Sequence, residues 1–183
     1  MLAEHLVYSI AIAIFVYTIY RKKEVLYIII GSAYVPDIDI IADHILKKIG
    51  VVVLIYGDPI KHGDFHNILI MILYAILIAL ILNTIHIKMK DSFILACIGF
   101  GAHLFEDALV FNPAYRFFWP ISDKLYGIGI IGYNYNHRVD FYGIANTEVL
   151  MIGILLVILS ICIKYVFDNN VKTMDRINGR GGI

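Results

Sequence analysis

Asn67 to Ile85 reads NILIMILYAILIALILNTI, a run without a single charge. At ~1.5 Å per residue it is long enough to cross most of a hydrocarbon core about 30 Å thick. Outward from it, Val149 to Phe167 reads VLMIGILLVILSICIKYVF, polar only at Ser160 and Lys164. Lys164 lies near the end of the run, where its stem can snorkel to the headgroups. Three more segments, Leu6 to Tyr20, Val25 to Asp43 and Phe93 to Phe111, are apolar but carry small or ionisable residues towards one end. Such mixed runs suit helices that face a bundle interior. The whole chain of 183 residues is 60% hydrophobic and 16% charged, with a mean hydropathy of +0.79. A soluble domain has roughly 45–50% apolar and about 25% charged residues. The reading is an all-α integral membrane bundle of about five spans, multi-pass in the cell membrane, with the bilayer as its first partner.

One domain covers residues 1–167, and a polar C-terminal tail covers 168–183. Tyr126 to Tyr142, YGIGIIGYNYNHRVDFY, reads as an irregular interfacial loop. The first apolar segment is not a signal peptide: its basic cluster Arg21, Lys22, Lys23 follows the apolar stretch, and Glu4 precedes it. With five crossings, nine Lys and Arg fall on the side of Arg21 and six on the other, which puts the first side and the C-terminus in the cytoplasm. Net charge is zero, so no global field draws nucleic acid, and direct nucleic-acid binding is not expected. Cys97 and Cys162 sit inside apolar runs as small hydrophobes. The sequence names no protein partner.

The ionisable residues of the apolar segments gather at one face. His5 stands at the outer end of the first segment, Asp37 and Asp39 near the outer end of the second, His62 and His66 at the entry to the third. His103 and Asp107 lie in the outer half of the fourth. Side chains this costly at membrane depth need a partner or a function. His62 with His66, and His103 with Asp107, are i,i+4 pairs, which a helix stacks on one face where both can bind one ion. Asp37 and Asp39 are ~200° apart on a helix, so only one is expected to point inward. Asp37 after Pro36 is also a helix-cap candidate. Asp43, His44, Asp58 and Asp64 read as solvated loop residues, and Phe117, Phe118 and Trp119 as interfacial anchors.

In order, His5, GSAYVPDID (Gly31 to Asp39), HGDFH (His62 to His66), GFGAHLFED (Gly99 to Asp107) and FFWP (Phe117 to Pro120) resemble the membrane-bound metal-dependent hydrolases of the YdjM-like, LexA-binding inner-membrane family. The resemblance implies a helical membrane protein with a divalent metal and hydrolase chemistry, distantly similar to zinc phospholipase C and P1 nuclease. The family often has His-Arg-Gly and a Ser after the second His, where this chain has Gly63 and Asn67. Arg116, Arg138 or Lys61 stand on the same side for phosphate contact. His137 and Glu148 stand there in place of the His-x-x-x-Glu of zinc phospholipases.

The expected ligands are Asp37, Asp39, His62, His66, His103 and Asp107, with His5 as a seventh. More ligands than one ion needs suggests two. Imidazole and carboxylate without thiolate suit zinc, with manganese or iron as alternatives. Whichever of Asp37 and Asp39 is not a ligand serves as general base. The activity expected is hydrolysis of a phosphoester in a lipid or lipid-linked substrate. A non-enzymatic membrane adaptor with a structural metal is the alternative, and transport a third.

Overall fold

The computed structural model describes residues 2–55, 57–130 and 147–179. They form six helices: α1 (Leu2–Tyr20), α2 (Glu24–Ser32), α3 (Ile38–Ile49), α4 (Ile68–Asn83), α5 (Met89–Val110) and α6 (Thr147–Gly179). A two-stranded antiparallel ribbon, β1 (Leu54–Ile55) and β2 (Asp58–Pro59), lies between α3 and α4. The all-helical expectation holds. Three helices, α1, α5 and α6, are long and apolar enough to cross a membrane, and α4 is a shorter apolar helix.

The segment from Val25 to Asp43 is not one helix. α2 stops after nine residues, and a turn through 33–37 separates it from α3. Pro36 explains the break, because its ring disfavours helical backbone at the residue before it and it has no N–H to donate. Of the interfacial loop, residues 131–142, including His137 and Arg138, lie outside the described residues. At the other end α6 does not stop with the apolar run at Phe167; it continues as helix through the polar residues to Gly179.

α1 packs against α2, α5 and α6, and α5 also packs against α2 and α4. Small residues make these approaches possible: Ala13, Ala75 and Ala96 are fully buried in the main core with Val25 and Ile29. Gly99 of α5 is required by contact, since a Cβ there would lie 2.3 Å from the carbonyl oxygen of Ile29 in α2. At the basic end of the bundle Lys22 pairs with Asp91 at 2.8 Å, and Arg21 pairs with Asp168. Both pairs are open to solvent, where ion pairs add little, so packing holds the bundle. Phe117 is not an interfacial anchor: it is buried with Phe100 and Leu104 in a second core beneath the site, while Phe118 is exposed.

Candidate metal centre

The residues singled out in sequence converge at the end of the bundle opposite Lys22 and Asp91. Each arrives by a different local device. His103 and Asp107 stand one turn apart on the buried face of α5. His5 comes from the first turns of α1, with its ring stacked on that of His103 at 3.9 Å between centroids.

Asp37 occupies the N-cap position of α3, yet its carboxylate makes no capping bond. It is turned instead to the histidines. Asp39, in the first turn of α3, also faces the cluster, so the expectation that only one of the two points inward is overturned. The ~200° separation applies to helix interiors, and Asp37 lies outside the helix.

His62 and His66 are not on a helix. They belong to the turn 61–67 that precedes α4, in which Gly63 has φ +99°, a conformation that favours glycine. A Cβ there would also lie 2.7 Å from the Tyr115 ring. Asp39 clamps this turn: Oδ2 accepts from the backbone N–H of Gly63 at 2.8 Å and of Phe65 at 3.3 Å, and Oδ1 accepts from His62 Nδ1 at 3.1 Å. Burial raises the Asp39 carboxyl, but the imidazoles of His62 and His66 outweigh it and hold it below the ordinary carboxylate range. Asn67 caps α4 by accepting from the N–H of Ile70 at 2.9 Å, so the position that departs from the family's serine has a structural role here. Asp64, expected in solvent, is buried and accepts from the Lys61 N–H at 2.8 Å.

Four donor atoms lie at the centre. His66 Nε2 and His103 Nε2 are 3.2 Å apart. Asp107 Oδ2 is 3.3 Å from each, and Asp37 Oδ1 is 3.5 Å from His66 Nε2 and 3.7 Å from His103 Nε2. A tetrahedron of nitrogen and oxygen ligands at about 2.0–2.2 Å from zinc has edges of roughly 3.3–3.6 Å. His103 donates Nδ1–H to the Ala33 carbonyl at 2.7 Å, which leaves Nε2 as the bare, electron-donating nitrogen. Asp107 Oδ2 is buried without a hydrogen-bond partner. Such an atom is costly unless a cation faces it. The residues present therefore fit a divalent ion.

The second oxygens of the same two carboxylates face His5. Its Nε2 is 4.0 Å from Asp37 Oδ2 and 3.9 Å from Asp107 Oδ1. Its Nδ1 donates to Glu106 Oε2 at 3.0 Å. Sequence reasoning missed Glu106, which is 2% exposed near the C-terminal end of α5. The available signal was a second carboxylate beside Asp107 in an apolar run. Glu106 orients His5 in the way a carboxylate behind a metal-binding imidazole does.

His62 differs from the rest, with its side chain 47% exposed against 5% or less for His5, His66, His103 and Asp107. It lines an open cavity of about 290 Å³ with Lys61, Tyr115 and Arg116. Of the two basic residues described that were expected to meet phosphate, both are at this mouth. Glu148 is exposed in the first turn of α6.

The sequence profile of the YdjM inner membrane protein family matches residues 1–171. Comparison with curated proteins and with solved structures gives no match. The match covers nearly all of the chain, which therefore belongs to the YdjM inner membrane protein family and is a membrane protein.

Proposed function

We propose that this member of the YdjM inner membrane protein family is a membrane-bound metal-dependent hydrolase acting on a phosphoester of a lipid or lipid-linked substrate. The observation that carries the proposal is the set of three buried donors, His66, His103 and Asp107, 3.2–3.3 Å apart, with Asp37 beside the two histidines and a half-exposed rim of His62, Lys61 and Arg116. His66, His103 and Asp107, with Asp37 beside them, would hold one ion, and His5 with Asp37 would help to hold a second. Zinc suits this donor set, with manganese and iron as substitutes. Bound there, a divalent ion supplies an activated water and polarises a phosphoryl oxygen.

The chain's own residues supply the rest. Asp39 keeps His62 and His66 in place by fixing the turn between them. The Ala33 carbonyl and Glu106 each accept from the Nδ1 of their histidine, which aims the Nε2 atoms of His103 and His5 inward. Lys61 and Arg116 present positive charge where an anionic head would enter.

The chain crosses five times, the second crossing made by α2 with the turn that follows it and the third by the short α4, with the site towards the non-cytoplasmic leaflet. Reporter fusions after Lys90 and Arg176 then read cytoplasmic, and one after Asp58 does not. The enzymatic proposal is tested by turnover of an activated phosphodiester and of phospholipid by the purified protein in liposomes. Activity that chelation abolishes and zinc restores supports it. One observation favours a second reading: the near-complete burial of His66, His103 and Asp107 suits a closed structural metal in a non-enzymatic adaptor. A metal-loaded protein inactive on both substrates, whose His66→Ala variant melts early, would promote that reading.

A further inference from the structure

α3 has an apolar face that no part of the described protein covers. Ile38, Ile41, Ile45 and Ile49 follow helical spacing along one side and are 44–63% exposed. The opposite side carries Asp39 to the site and the Asp43–Lys47 pair at 2.7 Å. Gly50 ends the helix in the left-handed conformation, and the following VVVL of residues 51–54 is exposed as well. Among the described residues α3 has no extended packing against another helix. Apolar surface of this extent marks an interaction face.

Depth identifies what covers it. From the basic end, His5 lies ~22 Å along α1, and His103 and Asp107 lie ~21 and ~27 Å along α5, at 1.5 Å per residue. His66 sits just beyond α4, itself ~24 Å long. The cluster is thus near the far boundary of a hydrocarbon core about 30 Å thick. α3 starts at the cluster and is ~18 Å long. Pointing along the membrane normal, it would carry at least Ile45 and Ile49 into water. Lying in the plane, it buries all four in the boundary between acyl chains and headgroups, with Lys48 and His44 beside the stripe to meet phosphate.

The geometry points to α3 as an interfacial helix embedded in the leaflet on the site side, its partner the lipid surface itself. The sequence segment that begins as a span thus ends as a platform, and the metal cluster stands where the two join. Headgroups of that leaflet are brought level with the mouth at His62. This inference depends on the membrane placement of α1 and α5 and not on the hydrolytic reading, so loss of one leaves the other standing.

The test uses the full chain with Cys97→Ala and Cys162→Ala, carrying Ile41→Cys, Ile45→Cys or Lys47→Cys, labelled with an environment-sensitive fluorophore. The variants are reconstituted in phosphatidylcholine and phosphatidylglycerol vesicles, and circular dichroism checks that each retains its helices. A nitroxide high on the acyl chain is expected to quench the labels at 41 and 45 at least about twofold more than the label at 47, with iodide showing the reverse order. Equal iodide access at 45 and 47 without nitroxide quenching would put the stripe in water and overturn the inference. So would strongest quenching by a nitroxide at the chain end, which would make α3 part of a span. Shielding that grows with protein-to-lipid ratio would assign the face to a second copy.

Discussion

His62 with His66 and His103 with Asp107 have the same spacing in sequence and opposite structural supports. The second pair is held by a regular helix that is buried for other reasons: α5 packs on α1, α2 and α4. The first pair has no helix beneath it. It is held by a glycine at φ +99° and by one buried carboxylate, Asp39, reaching in from α3. An i,i+4 spacing therefore states only that two side chains can meet; what fixes their positions is read from the surrounding backbone bonds. The two pairs also differ in access, since both members of the helical pair are buried, whereas His62 is open to the cavity at Tyr115 and Arg116.

Loss of the carboxylate from the helical pair has the largest expected effect. Asp107→Ala deletes a carboxylate that faces both His66 with His103 and, through its other oxygen, His5. Its metal affinity, measured by competition with a fluorescent chelator, is expected to fall by more than the ~10–100-fold that an outer partner costs. A fall smaller than that of an outer partner would take Asp107 out of the centre.

Asp39→Ala is next. If Asp39 acts through the turn, affinity falls ~10–100-fold while the helices stay intact, and hydrogen exchange of the Gly63 and Phe65 amides speeds up. Unchanged exchange with lost metal would instead make Asp39 a ligand.

Smaller effects sharpen the contrast between inner and outer groups. Glu106→Gln keeps an acceptor for His5 but removes the charge, and is expected to lower affinity by about tenfold, the low end for such a partner. His62→Ala is expected to cost least in affinity, under about tenfold, and to act mainly on substrate binding through the open cavity. A His62 variant that loses metal as completely as Asp107→Ala would erase the difference between the two pairs.

The helical character, the firm apolar runs and the gathering of His5, Asp37, Asp39, His66, His103 and Asp107 were legible because burial of ionisable groups in apolar segments leaves few alternatives. The break between α2 and α3 was marked by Pro36, but an apolar run on both sides of it reads as one span when hydropathy alone is followed. Glu106 was hidden by Asp107, since two adjacent carboxylates on a helix point about 100° apart and only one was assigned a direction. The turn around Gly63 was invisible because a positive φ and a clamp from 24 residues upstream leave no periodic signature.

Metal content decides whether the buried His and Asp cluster is a metal centre. Elemental analysis of the wild-type protein, purified in detergent without added metal or chelator, is predicted to find one or two divalent ions per chain, with zinc foremost. The His103→Ala, Asp107→Ala double variant, checked for intact helices, is predicted to hold almost none. A folded wild-type protein that carries no metal and takes up none on dialysis against zinc, or a double variant that keeps its full complement, would contradict the account.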